Sequence, residues 1–260
     1  MTVIRTDLWL LEQYDNPIEI CEKLTGYFKD ASAAEIYGHL TLHGMYRQPC
    51  DPGMNLMEKL WNKNIWEMVQ HEEQQLKKIW KGPDVPIFIF PSDSNNRKLR
   101  QDFNGKSGIS FHDKLFLFIS ERNEENEIRA LLTHEYNHIC RLSKYDKNEK
   151  DYVLIDSIIL EGLAENAVNE RIGEQFVSNW ISYYPKEKLE RMRKNIVWPN
   201  KNISINNHKH HHILYGSGAY PKMAGYCVGY YLVKKHMEEN GLTCADVIDE
   251  PSEKVAQIET

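Results

Sequence analysis

The chain has 260 residues, 41% of them hydrophobic and 27% charged, a composition typical of a globular protein that needs neither disulfides nor a metal ion to form its core. Its net charge of -6 gives no sign of a basic surface, so we expect no nucleic-acid partner. Its longest apolar runs are far below the ~20 residues of a membrane-spanning helix, so we expect no membrane partner. Five cysteines without a C-x-x-C pair indicate reduced thiols and predict a cytoplasmic protein, and nothing in the sequence indicates an oligomeric state.

The first third of the chain has the pattern of amphipathic helices. Between residues 9 and 80, apolar residues recur mostly at spacings of three and four, with acidic and amide side chains between them. At Lys81-Gly82-Pro83 this pattern ends. We therefore predict a helical N-terminal region over residues 1–82, packed on the part that occupies residues 83–260.

Three short strands are predicted between residues 85 and 119. Residues 85–90 form an apolar run rich in β-branched and aromatic side chains, bounded by Pro91-Ser92-Asp93. A second pair of strands is indicated over residues 107–111 and 114–119, with His112-Asp113 as a tight turn. These strands predict a small antiparallel or mixed sheet in a mainly helical α+β fold.

Helical spacing resumes after the strands. One helix is predicted over about residues 124–143, with acidic residues in its first turns, and another over about residues 153–172. The stretch 199–212, rich in Asn and His, is predicted to be polar loop. The C-terminal helices include one from about residue 221 to 239, with Pro221 in its first turn and Gly241 just beyond its end.

The sequence His134-Glu135-Tyr136-Asn137-His138 lies in the middle of the first of these helices. Residues four apart in a helix share a face about one turn apart, so both imidazoles can reach one ion. Zinc needs a third protein ligand if one position is to stay open for water. Glu135 is placed between the histidines to take a proton from that water. The spacing therefore predicts one Zn²⁺ per chain.

The third ligand is expected on the next helix. Glu161 opens the sequence Glu-Gly-Leu-Ala-Glu, and the 22 residues from 139 to 160 separate it from His138, which is enough for a loop and an antiparallel return. Two helices can then bring two histidines and one carboxylate together. The remaining alternative is that His134 and His138 belong to an ordinary polar helix face.

These motifs resemble those of the gluzincin superfamily of zinc metallopeptidases, in which H-E-x-x-H lies on one helix and a glutamate on the following helix completes the site. More narrowly, HEYNHICR (134–141), LEGLAE (160–165) and YPKMAGYCVGYYLV (220–233) together resemble the YjaZ-like family of predicted zinc-dependent proteases. The resemblance covers roughly residues 85–250. It implies a zincin-like catalytic domain over residues 83–260, with the small sheet over the active-site helix.

The resemblance implies roles for individual residues. His134, His138 and Glu161 correspond to zinc ligands and Glu135 to the general base, so the expected reaction is peptide-bond hydrolysis by a zinc-activated water. Glu165 matches a position behind the ligands, from which its carboxylate would accept the free N–H of His134, with an exposed helix carboxylate as the alternative. Arg141 would neutralise one of these carboxylates or face water.

Two further contributions to the site are expected. An oxyanion donor is needed, and the resemblance puts Tyr226 first, with Tyr215, Tyr220 and His212 as alternatives. The resemblance also implies an edge strand that pairs with an extended substrate, for which Gly108, Ile109 and Ser110 are the candidates. The alternative for these three residues is an ordinary hairpin arm.

Two other groups of possible metal ligands are given less weight. The cluster from His208 to His212 is flanked by asparagines, and consecutive histidines point in different directions, so a lid or adventitious metal binding is as plausible as a dedicated site. Cys140 lies off the ligand face of its helix and is predicted to be buried in the core.

The function expected from these residues is that of a zinc-dependent peptidase acting on peptides or unfolded protein segments. The alternative is a catalytically inactive zinc-binding regulatory or protein-interaction module on the same scaffold. A third interpretation makes the motifs coincidental and purely structural.

Overall fold

The chain forms many helices and one small sheet. The structure is a computed structural model and describes residues 2–49 and 53–257. Helices precede the first strand at α1 (Thr6–Gln13), α2 (Pro17–Glu22), α3 (Ala33–Leu42), α4 (Gly53–Asn62) and α5 (Ile65–Trp80). The strands are β1 (Ile87–Pro91), β2 (Ser107–Ser110) and β3 (Leu115–Ile119), with α6 (Arg97–Asp102) between β1 and β2. The remaining helices are α7 (Glu125–Lys144), α8 (Leu154–Arg171), α9 (Lys186–Met192), α10 (His208–Tyr215), α11 (Ala224–Asn240), α12 (Cys244–Val247) and α13 (Ser252–Val255). None of the helices within these two ranges combines the length and the apolar character needed to cross a membrane.

The three strands form a mixed sheet in the order β1-β3-β2. Strand β1 is parallel to β3, and β2 is antiparallel to it. The amide of Phe111 donates a hydrogen bond to the carbonyl of Lys114 at 2.9 Å, which closes the tight turn predicted at His112 and Asp113. The mainly helical α+β fold with a small sheet is therefore confirmed.

The two edges of the sheet differ. Strands β1 and β3 are buried along their whole length, as expected for apolar runs covered on both faces. On the outer side of β1, Val3 forms a parallel bridge with Ile87, and the amide of Ile4 donates to the Ile87 carbonyl at 2.9 Å. Among the described residues, β2 is consequently the edge that carries no strand on its outer side.

Internal contacts divide the chain into two units. The first comprises the described residues of Met1–Lys78 and Pro83–Tyr136, and the second those of Ile79–Gly82 and Asn137–Thr260. The N-terminal helices thus cluster with the strands. The functional division predicted at residues 82 and 83 stays a prediction.

Helices α8 and α11, in the second unit, approach each other closely at two glycines. A Cβ at Gly162 would lie 2.3 Å from backbone atoms of Gly229, and a Cβ at Gly229 would lie 2.1 Å from the carbonyl oxygen of Ile158. These distances are too short for any side chain. The glycines of the two sequence motifs therefore have a packing role, which fixes the helix that carries Glu161.

The Gly229→Ala substitution is expected to lower the free energy of unfolding by about 3 kcal/mol, because the added methyl group forces two backbones apart. The matched control is Gly38→Ala, in helix α3, where a Cβ would meet no atom within 4 Å and where alanine favours the helix. Urea unfolding of the two variants measures the difference. Equal stability of Gly229→Ala and the parent would contradict the close approach of α8 and α11.

The segment rich in histidine differs from its prediction. Residues 208–215 form helix α10 rather than a loop, and the side chain of Asn207 accepts a hydrogen bond from the amide of Lys209 at 2.9 Å. The asparagine that suggested a loop is the N-cap of a helix. Helix α11 likewise begins at Ala224, three residues after the proline that was expected in its first turn.

Candidate metal centre

Helix α7 carries both histidines of the H-E-x-x-H sequence. It runs over Glu125–Lys144, within one residue of its predicted bounds at each end. Acidic residues occupy its first turn and Arg141 and Lys144 its last turn, the arrangement that the helix dipole favours. The division between the two units falls within this continuous helix, after Tyr136.

Three ligand atoms come together at this helix. His134, His138 and Glu161 each offer one atom, and the three atoms all lie within 4.8 Å of one another. The Nε2 atom of His138 lies 3.5 Å from the Oε2 atom of Glu161. Zinc at ~2.0–2.1 Å from its ligands places neighbouring ligand atoms about 3.3 Å apart in a tetrahedral site. Two imidazoles and one carboxylate are also a donor set used by catalytic zinc, so the residues fit this ion.

Glu161 lies on helix α8, whose start is held by a buried carboxylate. Asp156 accepts a hydrogen bond from the amide of Val153 at 2.9 Å and pairs with Lys147 at 2.5 Å. Helix α8 is buried on most of its surface. The ligand thus stands on a helix fixed at its first turn by Asp156 and in its middle by Gly162.

Glu135 is held against strand β2. Its side chain is buried, and the hydroxyl of Ser110 lies 2.5 Å from its Oε2 atom and 2.8 Å from its carbonyl oxygen. A Cβ at Gly108 would lie 2.5–2.6 Å from the Glu135 side chain. Two of the three predicted edge-strand residues therefore contact Glu135. Ile109 lies between them and points to the opposite face of the strand.

Tyr226, the first candidate for an oxyanion donor, is next to the ligand Glu161. Burial, the charge of Glu161 and hydrogen bonds to Tyr215 and Glu161 raise the pKa of Tyr226 well above its usual value, so the hydroxyl stays protonated. The rings of Tyr215 and Trp180 pack against the Tyr226 ring, with centroids 5.4 and 5.3 Å away. The structure thus brings Tyr226 and Tyr215 to the carboxylate.

The other two candidates have different surroundings. His212 is exposed on helix α10, and Tyr220 is half-buried in the segment that precedes helix α11. Their roles as oxyanion donors stay predictions.

Glu165 is buried, which excludes the exposed alternative for this residue. One of its carboxylate oxygens accepts a hydrogen bond from the amide of Ser178. Its predicted hydrogen bond with His134 stays a prediction.

Arg141 does not face water, and its guanidinium binds other groups than the carboxylates that it was predicted to neutralise. Its guanidinium is fully buried and donates to the carbonyls of Val247 and Ile248 at 3.4 and 3.2 Å. It also donates to the carbonyl of Glu250 at 3.2 Å and to the hydroxyl of Ser252 at 3.0 Å. Burial lowers the pKa of Arg141. Its acceptors, three backbone carbonyls and one hydroxyl, lie far along the chain, and no sequence pattern indicates them.

The ligand cluster found in the described part of the chain includes neither Cys140 nor the histidines between positions 208 and 212. The Nε2 atom of His210 lies 3.0 Å from the hydroxyl of Ser157, and burial lowers the His210 pKa to about 4. His208, His211 and His212 are exposed. Cys140 is fully buried, as predicted.

Comparison with known proteins gives the family to which the chain belongs. The chain belongs to the family described as Predicted Zn-dependent protease (DUF2268), whose model matches residues 65–257. The match begins some twenty residues before the part covered by the motif resemblance and includes helix α5.

Two proteins of Bacillus subtilis (strain 168) are similar to the chain. The protein named Uncharacterized protein YjaZ is 42% identical over 218 residues, which cover 84% of this chain and 83% of that protein. Uncharacterized protein YjfC is 23% identical over 186 residues, 67% of this chain and 60% of that protein. No solved structure matches the chain.

Proposed function

We propose that the chain is a zinc-dependent peptidase of the gluzincin type, with His134, His138 and Glu161 as the ligands of one zinc ion and Glu135 as the general base. The observation that carries this proposal is the convergence of the three ligand atoms within 4.8 Å of one another. Membership of a family of predicted zinc-dependent proteases supports it.

Bound zinc would supply Lewis-acid chemistry and lower the pKa of a water molecule at its open position toward ~7. The residues of the chain would perform the proton transfers. Glu135 follows His134 directly on helix α7. Its carboxylate is the proposed acceptor of the proton of the attacking water and would pass this proton to the leaving amine. The protonated hydroxyl of Tyr226 is the proposed donor to the developing oxyanion, with Tyr215 second.

The proposed substrate is a peptide or an unfolded protein segment. Strand β2 leaves backbone groups at an open sheet edge, and its residues Gly108 and Ser110 contact Glu135. An extended peptide that pairs with this edge would bring its main chain to the general base whatever its side chains. We also propose a cytoplasmic location, because Cys21, Cys227 and Cys244 are thiols that form no disulfide in the described part of the chain.

The test combines metal content with hydrolysis. Protein prepared without a histidine tag and dialysed against a weak chelator is expected to retain about one zinc per chain and to cleave members of a mixed peptide library. Removal of the metal with a strong chelator should abolish cleavage, and added zinc should restore it. Product analysis by mass spectrometry shows which bonds are cut.

Two outcomes of this experiment would overturn the proposal. Zinc bound at full occupancy without any cleavage of the library would favour an inactive zinc-binding module. Protein that takes up no zinc after exposure to it would leave the three ligands with a purely structural role.

A further inference from the structure

The hydroxyl of Ser110 makes a short contact with the proposed general base. Its oxygen lies 2.5 Å from Oε2 of Glu135 and 2.8 Å from the Glu135 carbonyl oxygen. Hydrogen bonds from a hydroxyl to a carboxylate are typically 2.5–2.7 Å long and stronger than those to a neutral acceptor. The single hydroxyl proton of Ser110 therefore goes to the carboxylate.

Gly108 completes the contact on the same face of strand β2. Residues two apart in a strand point to the same side, so positions 108 and 110 both face helix α7. A Cβ at position 108 would lie 2.5 Å from Cγ and 2.6 Å from Cδ and Oε1 of Glu135. The missing side chain thus leaves the space in which the carboxylate lies, and Ser110 holds it there.

We propose that Ser110 is a positioning residue, whose hydroxyl fixes the rotamer of Glu135 through Oε2 and leaves Oε1 to accept the proton. This inference rests on the proposed role of Glu135 and deepens it. It gives Ser110 a different part from the one expected for an edge strand, since a hydroxyl engaged by Glu135 does not bind a substrate side chain. Strand β2 then holds the base on one face while its open edge offers main-chain groups.

The hydrogen bond can be tested without any hydrolysis. In zinc-free protein, Ser110→Ala is expected to lower the Tm by about 2–4 °C, because the buried carboxylate loses its donor. In the Glu135→Ala background the same substitution should lower the Tm by less, because only the hydrogen bond to the backbone carbonyl of residue 135 remains to be lost. An equal decrease in both backgrounds would contradict the bond to the carboxylate.

The positioning role is tested by kinetics with zinc-loaded protein. Ser110→Ala is expected to lower kcat by about 10–100-fold with KM within about twofold of the parent, and Ser110→Thr, which keeps the hydroxyl, should restore most of the rate. The matched control is Ser143→Ala, on helix α7, where the hydroxyl donates a hydrogen bond to the carbonyl of Cys140. Zinc content should be the same in all these variants.

The outcomes separate this inference from the proposed function. A raised KM with unchanged kcat would overturn the positioning role and assign Ser110 to substrate binding. The Tm measurements in the two backgrounds can show that Ser110 and Glu135 are coupled even if the parent protein cleaves no peptide. That combination would reject the peptidase activity and with it the positioning role, but the contact between the two side chains would be established.

Discussion

Replacement of Glu135 by Gln is expected to lower kcat for peptide hydrolysis by about 10²–10⁴-fold while zinc stays bound. The amide of glutamine has nearly the shape of the carboxylate but accepts no proton at neutral pH. The histidines on either side of position 135 are unchanged, so the metal site keeps its ligands. Hydrolysis rates and elemental analysis of the same preparation measure the two properties together.

Glu124→Gln is the matched control for this substitution. Glu124 lies just before the same helix and its side chain is exposed, so the variant should behave as the parent in both measurements. Undiminished hydrolysis by Glu135→Gln would exclude Glu135 as the general base. Loss of zinc from this variant would show instead that position 135 supports the metal.

Replacement of Glu161 by Ala is expected to weaken zinc binding by at least about 100-fold. Loss of a residue that only hydrogen-bonds a metal ligand typically lowers the metal affinity 10–100-fold, and here the ligand itself is removed. Two histidines on one helix would remain, with two positions open to water. Competition with a chromophoric chelator measures the affinity, and circular dichroism verifies that the variant is folded.

The control for the ligand assignment is Glu187→Ala. Glu187 is an exposed carboxylate on helix α9 and lies in the same unit as Glu161. Its replacement should leave the zinc affinity unchanged, which shows that loss of one negative charge is not the cause. Full zinc occupancy in folded Glu161→Ala would assign the third ligand to another residue.

Periodicity was sufficient to predict the elements that position the metal ligands. Helices α7 and α8 lie within a residue of their predicted bounds, and the turn at His112 and Asp113 joins β2 to β3 as expected. These features depend on local spacing of apolar residues and on turn chemistry, both of which are visible in one sequence. The H-E-x-x-H spacing belongs to the same class of signal, since it places two side chains on one helix face.

Contacts between distant residues were not predictable in the same way. Ser110 bonds a side chain 25 positions away, and Arg141 bonds carbonyls more than 100 positions away. Such pairs depend on how elements pack, and their residue types are common on any surface. The Asn207 cap shows a different failure, because asparagine favours both loops and helix starts, and only the residues that follow decide between them.

The buried guanidinium of Arg141 has a consequence for the end of the chain. Arg141 lies three residues after His138 on helix α7. Its guanidinium donates hydrogen bonds to backbone carbonyls between helices α12 and α13 and to the hydroxyl of Ser252. Without those acceptors a fully buried positive charge would lose its hydrogen bonds, which is strongly destabilising. Removal of residues 247–260 would take away all four acceptors of Arg141 and would thus destabilise helix α7 from inside the core.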